Sequence, residues 1–388
     1  MSSPLRDALE RAEIPDAEGA QGRAWAALSE AHAARVPRRR SRAPRRRSPR
    51  VGAVALAALL LLAAAVAVAA EPPHWVRQVL DGTPAHRRSS LGPLPAGRLL
   101  VSSPRGTWIV RADGTRTRLG PWTDATWSPR GLYVAAWRGR ELSAVAPDGR
   151  VAWTLAAPGV VRDVRWSPDG FRIAYRHDDA LAVIAGDGTA PRRLAAPVGA
   201  VAPAWRPGEP HTLAWVDARG RVAVADVDAG VPVWGSSAPV GADVRELQWS
   251  ADGHRLLARG PSRVVVLDVH GNRVWRMRLP RGARVDAAVW APRGPRLALV
   301  VRVGPVSRVE VLASSAVTPT AGRAVLAVRG TLASLAWSPD GRTLVVRRRE
   351  ADQWLLAPAD GRGAATAIGA VSRRFEGVPT VRGWCCAG

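Results

Sequence analysis

Lysine is missing from this chain, so all 56 basic residues are arginine. Without lysine there is no Walker phosphate loop, no Schiff-base chemistry and no pyridoxal linkage. Cysteine is nearly missing too. Cys385 and Cys386 are the only two, and they are adjacent. They cannot staple distant segments, so two free thiols are expected, with a vicinal or an intermolecular disulfide as alternatives. No Gly-x-Ser-x-Gly elbow occurs, and no hydrolase domain follows the repeats, which argues against a peptidase. Histidine is sparse and scattered. The densest cluster of metal-ligating types, His177-Asp178-Asp179, lies at a polar tip where charged residues are ordinarily solvated, so no metal site is expected. The repeated segments lack the apolar spacing of three and four that a helical domain needs.

What the chain does have is a period. Trp127, Trp166, Trp205, Trp249, Trp290 and Trp337 stand 39, 39, 44, 41 and 47 residues apart, and 47 more reach Trp384. Self-similarity at such a period governs the whole fold. WSPDG occurs at 166–170 and again at 337–341, with partial copies WSPRG at 127–131, WRPGE at 205–209, WSADG at 249–253 and WAPRG at 290–294. Each unit runs through a short alternating strand, the tryptophan, a Pro/Asp-Gly reversal, an apolar run, a polar tip, a second apolar run and a second Asp-Gly turn. Proline fixes φ, the aspartate side chain accepts locally, and glycine permits the positive φ that a tight turn requires. Four short strands joined by hairpins describe one propeller blade. The tryptophan then ends the innermost strand, where its ring packs between sheets. Trp153, Trp234 and Trp275 each follow a glycine by four residues and have the place of docking rings on outer strands.

Residues 95–119 fit the same frame but lack an inner strand, while VPTVRGW at 378–384 has the inner-strand pattern with almost nothing after it. Joining the two gives seven blades; a six-bladed ring is the alternative. The units resemble the WD-repeat-like propeller repeats of the TolB-type family, over about residues 95–386. That resemblance implies an all-β propeller. It does not fix a function, since the family spans periplasmic scaffolds, peptidase propeller domains and many other proteins.

Residues 51–70, VGAVALAALLLLAAAVAVAA, are twenty uncharged residues in a row. As a helix they span about 30 Å, the thickness of a hydrocarbon core. Nine arginines stand between Arg35 and Arg50, whereas EPPHWVR at 71–77 offers one. The positive-inside rule therefore places residues 1–50 in the cytoplasm and the repeats outside, on a single-pass anchor. A cleaved signal peptide is the competing expectation. The expected organisation is a helical, arginine-rich cytoplasmic segment (1–50), a transmembrane helix (51–70), a linker (71–94) and the propeller (95–386).

The formal net charge of +24 raises nucleic acid as a partner. General arginine bias and an extracytoplasmic surface argue against it, and anionic lipid heads or envelope polymers fit better. All seven expected hairpin tips carry arginine: Arg105, Arg138, Arg176, Arg219, Arg259, Arg302 and Arg347. On one face of a propeller these guanidiniums would suit a carboxylate- or phosphate-bearing ligand. Inner strands carry Asp124, Asp163, Glu246 and Asp286, candidates to hold a cation in the central channel, with water bridges and arginine partners as the plainer role.

No cofactor is implied. DVDAGVPVW at 226–234 resembles the tryptophan-docking repeat of quinone-dependent propeller dehydrogenases, but only in this copy and without their calcium site. The expected function is a non-enzymatic binding or scaffold module for an envelope protein or anionic ligand. The alternatives are an enzyme with a channel-mouth site and a signal transducer acting through residues 1–50. The transducer resembles membrane-bound anti-sigma factors, although His32 stands in that segment without the cysteines of their zinc motif.

Overall fold

A computed structural model describes residues 91, 94–95, 97–241, 243–313 and 322–386. The expected cytoplasmic helix, the apolar run at 51–70 and most of the linker lie outside the described residues. Among the described residues no helix is long and apolar enough to cross a membrane.

The strands form seven four-stranded sheets. The inner strands are Thr380–Cys385, Asp124–Trp127, Val161–Trp166, Ala204–Arg206, Glu246–Trp249, Ala283–Trp290 and Leu332–Trp337, for blades 1 to 7 in turn. Blade 1 is composite. Its inner strand comes from the end of the chain and pairs antiparallel with Arg98–Ser103, in the register Leu99↔Trp384 and Val101↔Val381. The ring therefore closes by joining its two ends within one sheet, and the six-bladed alternative falls away. Closure leaves no inner strand with an unpaired edge toward its own blade.

Second and third strands bury both faces because alternate residues point to opposite neighbours. In blade 5, Leu256, Ala258, Val265 and Leu267 pack toward blade 4, whereas Leu257, Val264 and Val266 pack toward blade 6. The core is thus divided into seven apolar clusters, one per joint between consecutive blades. The joint between blades 7 and 1 is the richest. Leu91 and Leu94, from the segment expected as linker, are buried there with Trp108, Trp354, Trp384 and Phe375. A short helix, Val371–Arg374, leads into Phe375, whose ring lies 5.2 Å from that of Trp354 and 6.1 Å from that of Trp108.

The repeated turn has a serine at its heart. In blade 7 the buried Ser338 donates its hydroxyl to Asp340 and accepts from the backbone N–H of Thr343, 2.9 Å away. Ser167 with Asp169 and Ser250 with Asp252 repeat the arrangement. Gly170, Gly253 and Gly341 then adopt φ of 81°, 70° and 70°, a conformation that costs glycine alone nothing.

The repeated tryptophans occupy the ends of the inner strands. Trp205 and Trp337 donate their indole N–H to the carbonyls of Arg165 and Val289, each 3.0 Å away on the inner strand of the preceding blade. Outer-strand tryptophans lock neighbouring blades together. Trp153 of blade 2 donates to the Gly186 carbonyl of blade 3 at 3.0 Å, and a Cβ placed on Gly188 would lie 2.6 Å from its ring. Trp234 of blade 4 covers Gly271 of blade 5 in the same way.

Strand direction gives the ring two distinct faces. One carries the tryptophan-adjacent turns, the second Asp-Gly turns and both ends of the described chain; we call it the entry face. The other carries the hairpin tips.

Candidate functional site

The inner strands surround a central cavity of about 540 Å³. Its polar wall comprises Asp124, Asp163, Glu246, Arg165, Gln248 and Arg382. Irregularities in the strands help aim these side chains. Arg382 and Asp286 are the extra residues where the registers of blades 1 and 6 shift, and Asp163 lies in the corresponding shift of blade 3 with φ of 55°. An extra residue re-aims the local side chains and sharpens the twist.

Asp163, Asp124 and Glu246 stand on the cavity wall as expected positions, but Asp286 does not line it. Its carboxylate is engaged by Arg284 at 2.8 Å and Arg302 at 2.9 Å. Three of the seven tip arginines take the plainer role, as partners of the inner-strand acids. Arg176 binds Asp163 at 2.6 Å, Arg259 binds Glu246 at 2.7 Å, and Arg302 binds Asp286. In blades 3, 5 and 6 the tip arginine thus folds back onto the acid of its own inner strand. The reason is pairing: half-buried carboxylates seek a guanidinium, and the adjacent antiparallel strand supplies one. Arg347 is buried as well, which lowers its pKa, with Arg349 adding to the effect. Arg105, Arg138 and Arg219 remain exposed.

Asp124 is the most constrained acid of the channel. Its carboxylate accepts from Arg382 at 2.6 Å, the Ser102 hydroxyl at 3.1 Å and the Ala125 N–H at 2.8 Å. Burial nevertheless raises its pKa, against the opposing pull of Arg382 and these hydrogen bonds. Arg165 presents solvent-exposed surface but is encircled by protein. That enclosure lowers its pKa, opposed by Asp163, Asp124 and Glu246.

Sequence reasoning missed Arg165, Gln248 and Arg382. A signal for the first two was present. The residue immediately before the repeated tryptophan lines the channel in six blades: Thr126, Arg165, Gln248, Val289, Ala336 and Gly383. Strand alternation sends it inward while the tryptophan turns to the sheet.

A second cavity, of about 440 Å³, opens on the tip face between blades 1 and 2. Arg105, Arg138 and Arg382 line it with Ser102, Ser103, Trp122, Thr123 and Thr380, and among the described residues no carboxylate does. The side chains of Arg105 and Arg138 form no ion pair among the described residues. Two arginines of the expected set are therefore brought together beside a third. Arg219 does not line this cavity.

No group of histidine, cysteine and acidic side chains among the described residues is arranged to hold a metal. Cys385 and Cys386 are joined to each other, which corrects the expectation of two thiols. Their sulfurs lie against Gly131 in the turn of blade 2.

No protein-family model matches the sequence, and no curated protein matches it. Among solved structures, the C-terminal WD40 domain of Sif2 is similar at 15% identity and a TM-score of 0.53, over 69% of this chain and 80% of that one. The β-propeller domain of Cps50 (Swd1) from Myceliophteria thermophila is similar at 15% identity and a TM-score of 0.51, over 64% and 86%. A chain in the Mitotic Checkpoint Complex aligns at 20% identity and a TM-score of 0.52, over 74% and 83%. At these identities the likeness is one of fold: a WD40-type seven-bladed propeller.

Proposed function

We propose that the protein is a membrane-anchored, extracytoplasmic propeller that works as a non-enzymatic binding module. In this reading it takes a carboxylate- or phosphate-bearing envelope partner at the arginine cavity between blades 1 and 2. The carrying observation is that Arg105 and Arg138, without an ion pair among the described residues, line one opening together with Arg382, whose guanidinium is already paired with Asp124. Guanidinium forks match carboxylate and phosphate oxygens in pairs. The hydroxyls of Thr123 and Thr380 beside them add further donors, whereas those of Ser102 and Ser103 already donate to Asp124 and to the Gly106 carbonyl. The wider setting agrees. A ring of WSPDG-type repeats resembles the TolB-type propellers, residues 51–70 have the length and composition of a membrane anchor, and arginine asymmetry orients the repeats outward.

The test uses the full chain in detergent, titrated separately with tricarballylate and pyrophosphate. Binding of at least one is expected, weakening as salt rises. Arg105→Gln combined with Arg138→Gln should lower that affinity about tenfold, the scale of one charge-assisted contact. Arg219→Gln should leave it unchanged. Equal binding by all three proteins, or none by any, would overturn the reading.

A second reading rests on Asp124, whose carboxyl is pushed up by burial inside the channel. A raised carboxyl in a cavity is the property of a general acid. Hydrolytic turnover that vanishes in a folded Asp124→Asn variant would favour an enzyme.

A further inference from the structure

Four residues carry the scarce phenol and phenyl rings of this chain: two tyrosines and two phenylalanines. Tyr175 and Phe375 are core residues, 1% and 0% exposed. Tyr133 and Phe171 are not. They are 37% and 72% exposed, and Leu132 beside Tyr133 is 63% exposed.

All three lie on the entry face, in neighbouring blades. Leu132 and Phe171 hold the same place in their repeats, directly after Gly131 and Gly170 of the tryptophan-adjacent turn. The two turns approach each other, since a Cβ on Gly170 would lie 3.7 Å from Pro129. In the other five blades that place is taken by Arg98, Glu209, His254, Pro295 and Arg342. The apolar residues are therefore not a requirement of the turn. Burial in this propeller does not account for them either.

We propose that the entry face rests on the membrane surface, with Leu132, Tyr133 and Phe171 entering the headgroup region beside the exposed Arg130. This rests on the anchored reading above and adds the orientation of the domain. Aromatic rings and arginine are the side chains that the bilayer interface accommodates, with rings at headgroup depth and guanidinium among the phosphates. Chain geometry supports the choice of partner. The described chain begins at Leu91 on this face, hydrogen-bonded to Gly114 of blade 1. Only residues 71–90 separate it from the apolar run, and twenty residues reach at most about 70 Å. A domain held so close sees the bilayer at high effective concentration, so a small patch suffices. A stable protein partner would need roughly 800 Å² on each side, more than three side chains offer.

The experiment reconstitutes the full chain into vesicles of phosphatidylcholine and phosphatidylglycerol containing a phospholipid with a photoreactive headgroup. Cross-links should map to residues 130–133 and 170–172. They should fall several-fold in a Leu132→Ser, Phe171→Ser variant with an unchanged melting temperature. Alkaline carbonate extraction is measured in parallel. A chain released by carbonate would overturn the anchored reading and this one with it. A retained chain without lipid cross-links at the patch would overturn this one alone, as would cross-links from the patch to a second copy or to another protein.

Discussion

Arg382 and Asp124 meet at 2.6 Å across the joint between the first and second blades. Arg382 comes from the last strand of the chain and Asp124 from the first inner strand of the continuous repeats. One ion pair therefore ties ring closure to the channel wall, and Arg382 also borders the arginine cavity. Deleting either partner leaves the other in a half-buried setting. A double-mutant cycle with Arg382→Gln and Asp124→Asn should show a coupling of about 1 kcal/mol, because the guanidinium is partly solvated. Denaturant midpoints of the four proteins measure it, and a coupling near zero would show the pair to be incidental.

Closure itself is testable by truncation. A chain ending before Val378 loses the strand that pairs with Arg98–Ser103 and exposes unpaired backbone groups of a buried strand. It should aggregate, or melt far below the intact protein. Trp384→Ala should be milder, costing about 3–5 kcal/mol because the ring is buried in the joint between blades 7 and 1. A truncated chain that melts like the intact one would mean that the last strand is not the clasp.

Gly188 faces the ring of Trp153 with φ of 88°, and its Cβ would lie 2.6 Å from that ring. Gly188→Ala should destabilise by about 1–3 kcal/mol through backbone strain and displacement of the indole. The same substitution at Gly208, where nothing stands within 4 Å, meets strain alone and should cost less. Thermal melts of the two variants make the comparison.

The repeated turns also predict an acid dependence. The Ser338 hydroxyl, followed by the Arg342 N–H, holds Asp340 below the ordinary aspartate pKa. A depressed folded-state value means that the folded chain binds this proton less readily than the unfolded chain. The stabilisation is therefore present above the unfolded pKa and is lost as pH falls through the folded one. Asp340→Asn should lower the melting temperature at neutral pH and converge with the wild type in strong acid. A difference that persists unchanged at low pH would assign the effect to shape rather than charge.

For topology, protease added to intact spheroplasts should digest the propeller and spare residues 1–50, following the arginine asymmetry around residues 51–70. Immunoblotting of both ends checks it. Loss of the N-terminal epitope alone would reverse the orientation.

The fold was legible because each blade repeats its own local chemistry. Trp-Ser-Pro-Asp-Gly specifies a turn through contacts within six residues, such as Ser338 with Asp340 and Thr343, and the period counts the blades. Even closure could be inferred, since an inner strand was missing at one end and present at the other. Those are local facts, and sequence encodes local facts directly. The site was less legible because partners are chosen across strands and blades. Sequence offered seven arginines and four acids as separate sets. Only the tertiary structure turned Arg176 onto Asp163 and Arg259 onto Glu246, while Arg105 and Arg138 stayed without a carboxylate among the described residues. Side-chain direction decided this, through alternation along strands and an extra residue in some of them. Spacing in the chain determines which residues can meet. Packing and charge pairing in the closed ring determine which of them do.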